Sequence, residues 1–306
     1  MSTAPVIAAA DGSDDSLRAL DWAARAARQR DAPLRVVHVR QYAAWGQPDV
    51  LVAEEQDPAG DPVLDEVRDR LRTDAAAAGL TVEYVALEGA PGALLPELGA
   101  DAQLLVLGSR GRGGFAGLLL GSNGMAAARD AGCPVVVVPR PGREVHEELP
   151  VEPGPRVVVG LDVDRPDDAT LAFACAEAAR HGARLQVIAA YPWPVQSWIA
   201  AGELVPPAVD QGEVEQDTRT LAGGFLAPHL KDRPDLHAEV LALPGDAAGL
   251  LVAASKDATL VVVGRHRRRL LAPARMIGSV TQAVLLHAAA PVAVIPPAPT
   301  PSPSQE

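Results

Sequence analysis

One plan is written twice along these 306 residues, and the repeat limits the fold more than any other feature of the chain. In the first copy the apolar run Val6-Ile-Ala-Ala-Ala10 reads as a short buried strand and ends at Asp11-Gly-Ser-Asp-Asp15, a turn rich in helix-capping residues. Leu17, Leu20, Ala24 and Ala27 then recur at helical spacing, and Leu34-Arg-Val-Val-His-Val39 returns to strand character. In the second copy Val157-Val-Val-Gly-Leu161 leads to Asp162, and Leu171, Cys175 and Ala178 stand for Leu20, Ala24 and Ala27. Leu34 lies 23 residues after Asp11, and Leu185 lies 23 after Asp162. Agreement in register over such a distance marks two tandem copies of one unit.

Beyond a variable stretch from Arg40 to Gly60, the first copy predicts a helix from Val63 to Ala78 stopped by Gly79, and a strand from Thr81 to Leu87. A helix from Pro91 to Leu98, a strand from Leu104 to Leu107, a helix from Ser122 to Ala131 and a strand from Val135 to Val138 complete it. Leu236 to Leu243, Leu260 to Val263 and Pro291-Val-Ala-Val-Ile295 are the later strands of the second copy. Parallel strands need crossover connections, so strands alternating with helices predict an α/β chain of two tandem doubly wound domains. Each is expected to hold a five-stranded parallel sheet with helices on both faces. Residues 1–140 and 156–296 form the two domains in this reading, joined by a linker at 141–155 rich in proline, glycine and charge. Residues 297–306 read as a disordered tail.

Composition excludes several functions. No apolar run reaches the roughly 18–20 residues of a membrane span, and Met1-Ser-Thr-Ala-Pro-Val lacks the regions of a secretion signal, so a cytoplasmic protein with no membrane partner is expected. A formal net charge of −12 argues against a nucleic-acid partner. The two cysteines, Cys133 and Cys175, stand in no metal-ligand or redox spacing and read as packing residues. The only lysines are Lys231 and Lys256, and neither follows a glycine loop. P-loop enzymes and protein kinases each require a placed lysine, so both classes are excluded.

The stretch that carries chemistry is Gly108-Ser-Arg-Gly111-Arg-Gly113-Gly-Phe-Ala-Gly-Leu-Leu-Leu-Gly121-Ser122. It reads as a phosphate cradle: Gly108, Gly111 and Gly121 permit positive φ and close approach, and Gly121-Ser122 opens a helix whose unpaired amides favour an anion. Arg110 and Arg112 add donors, and Leu118, Leu119 and Leu120 are expected to tuck the loop against the core. A glycine-rich surface turn is the bland alternative. A dinucleotide fingerprint is rejected, because Gly111-Arg-Gly113-Gly-Phe-Ala116 follows the fourth strand instead of opening the first β-α-β unit. In the second copy Gly264 and Gly278-Ser279 are kept, but Arg267 stands where the second glycine belongs. Gly278 falls 14 residues after Gly264, against 13 from Gly108 to Gly121. The run Arg265-His-Arg-Arg-Arg269 either replaces backbone amides with charge or is a solvated basic loop.

Glycine, two residues, glycine, nine residues, then glycine with serine resembles the ATP-binding signature of the universal stress protein family, and the resemblance extends over both copies. It implies an adenine nucleotide alpha hydrolase-like fold, with ATP, alone or with Mg, as the cofactor. It also implies Asp11 as the adenosine contact, Ala9 as a backbone neighbour and Val39 at the adenine edge. Gly108 and Ser109 would meet the ribose, while Arg110, Gly111, Arg112, Gly113, Gly121 and Ser122 surround the phosphates. In the second copy Gly160, Asp162, Ala190, Gly264, Gly278 and Ser279 are the matching positions. Family likeness further implies pairing of domains through the last strands, Val135 to Val138 and Val292 to Ile295, either within one chain or in a homodimer.

Blander roles stand beside these. Asp11 and Ser122 could serve only as helix caps. His38, inside a strand, reads as a satisfied core histidine, and Trp45, Trp193 and Trp198 could lid a nucleotide, form a partner surface or simply pack. Three functions stay open: a nucleotide-dependent regulatory protein acting in a stress response through an unidentified protein partner, a slow ATP hydrolase, and an interaction module that binds no nucleotide. No catalytic residue and no metal ligand is assigned.

Overall fold

The computed structural model describes residues 4–41, 55–56, 60–74, 77–111, 119–145, 153–192, 210–265 and 277–298. The first half runs β1 (Val6–Ala9), α1 (Asp14–Gln29), β2 (Leu34–Arg40), β3 (Glu55–Gln56), α2 (Pro62–Thr73), β4 (Val82–Glu88), α3 (Pro91–Leu98), β5 (Leu104–Gly108), α4 (Ser122–Asp130) and β6 (Val135–Val138). The second runs β7 (Arg156–Gly160), α5 (Asp168–His181), β8 (Arg184–Tyr191), α6 (Gln211–Leu230), β9 (Ala238–Pro244), α7 (Ala247–Ala254), β10 (Leu260–Gly264), α8 (Ser279–His287) and β11 (Val292–Ile295).

The described strands form one 11-stranded sheet in the order β3-β4-β2-β1-β5-β6-β11-β10-β7-β8-β9. Within each half five strands lie parallel, and their order reverses beside the first: β1 is flanked by β2 and β5, and β7 by β8 and β10. That reversal opens a crevice at the carboxyl ends of the strands, where doubly wound sheets hold ligands. The expected pairing of last strands occurs within the chain. β6 and β11 run antiparallel with Val135 opposite Val294, Val136 opposite Ala293 and Val137 opposite Val292. Equivalent residues of the two copies thus pair reciprocally about a local two-fold axis at Val136 and Ala293.

Strands buried on both faces need apolar side chains throughout, which explains Val135-Val-Val-Val138 and Leu260-Val-Val-Val263. One continuous core joins α1, α2, α5 and α6 to one face of the sheet, through residues such as Leu20, Leu64, Leu171 and Leu226. The other joins α3, α4, α7 and α8 to the opposite face through Leu94, Ala127, Leu251 and Leu285. Both cores pass beneath the seam between the halves.

Three expectations need correction. α2 ends at Thr73 rather than Ala78, its last turn closed by Asp74 N–H on the Leu71 carbonyl, and Gly79 sits in a later turn at φ +80°. The first half gains a two-residue antiparallel edge strand, β3, that periodicity does not reveal in so short a segment. Gly108, Gly111, Gly121, Gly264 and Gly278 are absent from the positive-φ glycines, so left-handed backbone is not why glycine stands there. Trp45, Trp193, Trp198 and the tail 299–306 lie outside the described residues.

Candidate functional site

In the first half the site grows from the turn that joins β1 to α1. Ser13 caps α1, accepting from Ser16 N–H, while the Asp11 carboxylate accepts from Ser13 N–H at 3.0 Å and from Ser13 Oγ at 2.6 Å. Asp11 therefore shapes the turn but is not itself the cap. The glycine loop leaves β5 directly against this turn. A side chain at Gly111 would strike Asp11 Oδ2, and one at Gly108 would lie 2.5 Å from the Asp15 carbonyl carbon and 2.6 Å from its oxygen. Close approach of backbone thus requires glycine at position 108, whereas at Gly111 the neighbour is the end of the Asp11 side chain, which can move aside.

Asp15, foreseen only as part of a capping turn, is the electrostatic anchor of this region. Its side chain is buried; Ser109 Oγ donates to it at 3.0 Å, Arg140 Nε donates at 2.8 Å, and Arg18 pairs with it as well. Arg110 Nε stands 4.0 Å away. Buried carboxylates persist only when paired, and here the partners arrive from α1, the end of β5 and the segment after β6. Sequence offered one signal, two aspartates in a helix's first turn, but not which of them would be buried.

Gly121 precedes α4 in extended conformation, φ −77° and ψ 158°, and no side chain caps the helix. The equivalent Gly278 precedes α8 at φ −62° and ψ 151°, again with no side-chain cap. Helix N-termini left open in this way present amides and a positive dipole end. Not every amide of the loop is open: Ser109 N–H donates to the Val138 carbonyl and Gly121 N–H to the Ser109 carbonyl. Leu120 is buried, but Leu119 is 42% exposed, so the leucine anchor is narrower than expected. Leu118, Arg112 and Gly113 lie outside the described residues. Ala9 and Val39 pack against the core face carrying α3 and α4.

The second half holds a cavity of about 450 Å³ at the same crevice. Five of the six positions marked by sequence in this half line it: Gly160, Asp162, Ala190, Gly264 and Ser279. Gly278 adjoins Ser279 without lining it. Ile188, Leu251 and Val263 supply an apolar floor, while Asp162, Asp167, Asp246 and Arg165 add charge. Such a volume lies within the range of roughly 300–1,000 Å³ common for small-molecule sites. Asp162 accepts from Asp164 N–H at 3.1 Å and pairs with Arg165, echoing Asp11 and Ser13. Asp246 caps α7, accepting from Gly249 N–H at 2.8 Å. A side chain at Gly264 would lie 2.8 Å from Thr170 Oγ1 and 3.1 Å from Asp167 Oδ2, side-chain atoms rather than the helix backbone met at Gly108. Sequence reasoning missed Thr170 and Leu251, which reach the crevice from α5 and α7, Asp167 and Asp246 at the N-cap positions of those helices, and Gly245. This last glycine turns the chain out of β9 at φ +127°, as Gly89 does after β4 at φ +143°.

Other groups singled out by sequence are structural. His38 Nδ1 lies 2.8 Å from Asp61 Oδ2, which also accepts from Arg40 Nε at 2.8 Å, while Asp61 Oδ1 takes Val63 and Leu64 N–H at the start of α2. Burial pushes the Asp61 carboxyl up, but the hydrogen bonds from His38, Arg40 and Leu64 outweigh it and bring its pKa down to about 2. Cys133 and Cys175 are buried free thiols, and burial raises Cys133 to about 11. Among the described residues no group of three or more His, Cys, Asp or Glu could hold a metal ion, and no helix is long and apolar enough to cross a membrane.

Comparison with known proteins agrees with this architecture. A model of the universal stress protein family matches residues 3–139 and again residues 155–296. A universal stress protein of Mycobacterium tuberculosis is 33% identical over 297 residues, covering 94% of this chain and 96% of that protein. Another from Mycolicibacterium smegmatis is 29% identical over 299 residues, covering 95% of this chain and 97% of the relative. The crystal structure of a universal stress protein from Archaeoglobus fulgidus covers 97% of this chain and 99% of its own with a TM-score of 0.62 at 17% identity, a likeness of fold.

Proposed function

This chain belongs to the universal stress protein family, and from that membership we propose that it is a cytoplasmic adenine-nucleotide-binding regulatory protein, with ATP as the ligand. The observation that carries the reading is the coincidence in the second half: five of the six positions that the family resemblance marks there line one cavity at the switch point of the sheet. In this reading the apolar floor of Ile188, Leu251 and Val263 receives the base, Asp162 accepts from ribose hydroxyls, and the uncapped start of α8 faces the phosphates. The first half offers the complete glycine motif, with Asp11 beside Gly111 and the uncapped start of α4 in the corresponding places. Magnesium, where it takes part, arrives with the triphosphate. Occupancy by nucleotide then alters the surface that a protein partner meets.

Calorimetric titration of the full chain with ATP tests the proposal. Binding in the micromolar range is expected, on the order of −8 kcal/mol, weakened by Asp11→Ala in one half and by Asp162→Ala in the other. Absence of heat at millimolar nucleotide would overturn it. Turnover that survives purification and vanishes with Asp11→Ala would instead favour a slow hydrolase.

A further inference from the structure

The two halves meet about a local two-fold axis, and where that symmetry is broken the seam carries information. Arg30 near the end of α1 reaches across to Glu177 of α5, its Nη2 2.7 Å from Oε1, with the two side chains only 4% and 0% exposed. Arg180 also donates to Glu177 Oε1 at 2.5 Å, and Gln29 Nε2 lies 3.4 Å from His181 Nδ1. Glu177 Oε2 is buried with no hydrogen-bond partner among the described residues. In the repeat register that sets Asp11 against Asp162, Arg30 corresponds to His181 and Ala26 to Glu177. The ion pair therefore has no symmetry mate: the equivalent contact would join His181 to Ala26.

We propose that the Arg30–Glu177 pair is a discriminator that makes the seam accept only unlike halves, so that the chain closes upon itself rather than pairing like halves with a second copy. Joining two first halves through β6 would bring two Arg30 guanidinia into one buried seam opposite two Ala26 residues and no carboxylate. Joining two second halves through β11 would bury two Glu177 carboxylates that keep Arg180 of their own helix but meet, in the place of Arg30, the His181 imidazole of the other copy, which burial pushes toward its neutral form. The first alternative leaves buried Arg30 without a carboxylate across the seam, the strongly unfavourable arrangement, and the second gives Glu177 an imidazole in place of a guanidinium, whereas the intact pair contributes little net stability over an apolar one. Desolvation lowers the pKa of Arg30 and Glu177 opposes that shift, as expected for a cation that depends on this one carboxylate across the seam.

Two other cross-seam ties among the described residues do not discriminate. Arg143 caps the end of α8 through the carbonyls of Leu285 and Ala288, and Arg265 caps the end of α4 through those of Ala128 and Ala131. In the register that sets Gly121 against Gly278, these are the same two carbonyls in each half. Two first halves could exchange Arg143 caps, and two second halves could exchange Arg265 caps. The strand register at Val136 and Ala293 is equally self-complementary.

The test is refolding of the full chain from denaturant across a range of protein concentrations, with mass measured by light scattering after size exclusion. Wild type is expected to return as monomer. R30E and E177R alone should raise the dimer and oligomer fraction by about tenfold or more, and the double reversal R30E/E177R should restore monomer. The apolar pair R30M/E177M separates discrimination from simple stability: it should melt within a few degrees of wild type yet yield dimers as the single reversals do. Monomer recovery of R30M/E177M at the wild-type level would overturn the proposal. So would a double reversal that oligomerises as its single variants do.

Discussion

Replacing Gly108 by alanine separates what the fold demands of the glycine loop from what a ligand demands. The added Cβ would lie 2.5 Å from the Asp15 carbonyl carbon, 2.6 Å from its oxygen and 2.9 Å from its Cβ. None of these is the free end of a side chain, so relief requires α1 to move off β5 by about 1 Å. Overpacking of this kind costs about 1–3 kcal/mol. The shift would also strain the bonds from Ser109 and Arg140 that hold Asp15, and a weakened hydrogen bond to a charged group adds about 1 kcal/mol. A total of about 2–4 kcal/mol corresponds to a fall in melting temperature of roughly 5–15 °C for a half of this size. Gly121→Ala is the control, since its nearest neighbour would be Ser109 O at 3.7 Å and its φ of −77° suits any residue. That variant should melt within about 1–2 °C of wild type, because surface changes without a named clash stay within about 0.5 kcal/mol. Differential scanning calorimetry gives both numbers. A Gly108→Ala protein as stable as Gly121→Ala would refute the reasoning that helix contact, not ligand approach, fixes Gly108.

Two further outcomes follow from the buried groups. Asp61 has a folded pKa of about 2 against an ordinary 3.8, so its contribution is present above pH 3.8 and is lost as pH falls through about 2. Asp61→Asn should therefore lower stability by on the order of 2 kcal/mol at pH 6, with the difference from wild type shrinking between about pH 4 and 2, as read by urea denaturation. Cys133, buried and raised to about 11, should resist alkylation in the native protein at pH 8 and react only as fast as the chain opens, a rate that mass spectrometry follows.

Much of this molecule can be read without coordinates because its strands are buried on both faces. Runs such as Val135-Val-Val-Val138 and Val157-Val-Val159 can satisfy burial only inside a covered parallel sheet, and the repeat register then dictates that the plan occurs twice. Asp162 and Gly264 sit where strands end, and strand ends are marked by a change in polarity, but it was the family resemblance that marked them as crevice positions. Helix length was less accessible, since Ala77 and Ala78 fit a helix as well as the turn in which they stand with Gly79.

Tertiary structure alone decided which charges lie inside. Asp14 and Asp15 are adjacent in sequence and alike in chemistry, yet Asp15 is the one buried against Ser109 and Arg140, because its direction depends on how α1 seats on β5. Likewise Arg30 and Glu177 look like ordinary surface residues of two helices 147 positions apart. They meet only because β6 and β11 join two sheets into one. Local sequence governs backbone preference and burial pattern over a few residues; the pairing of distant charges depends on the assembled geometry, which no window of sequence contains.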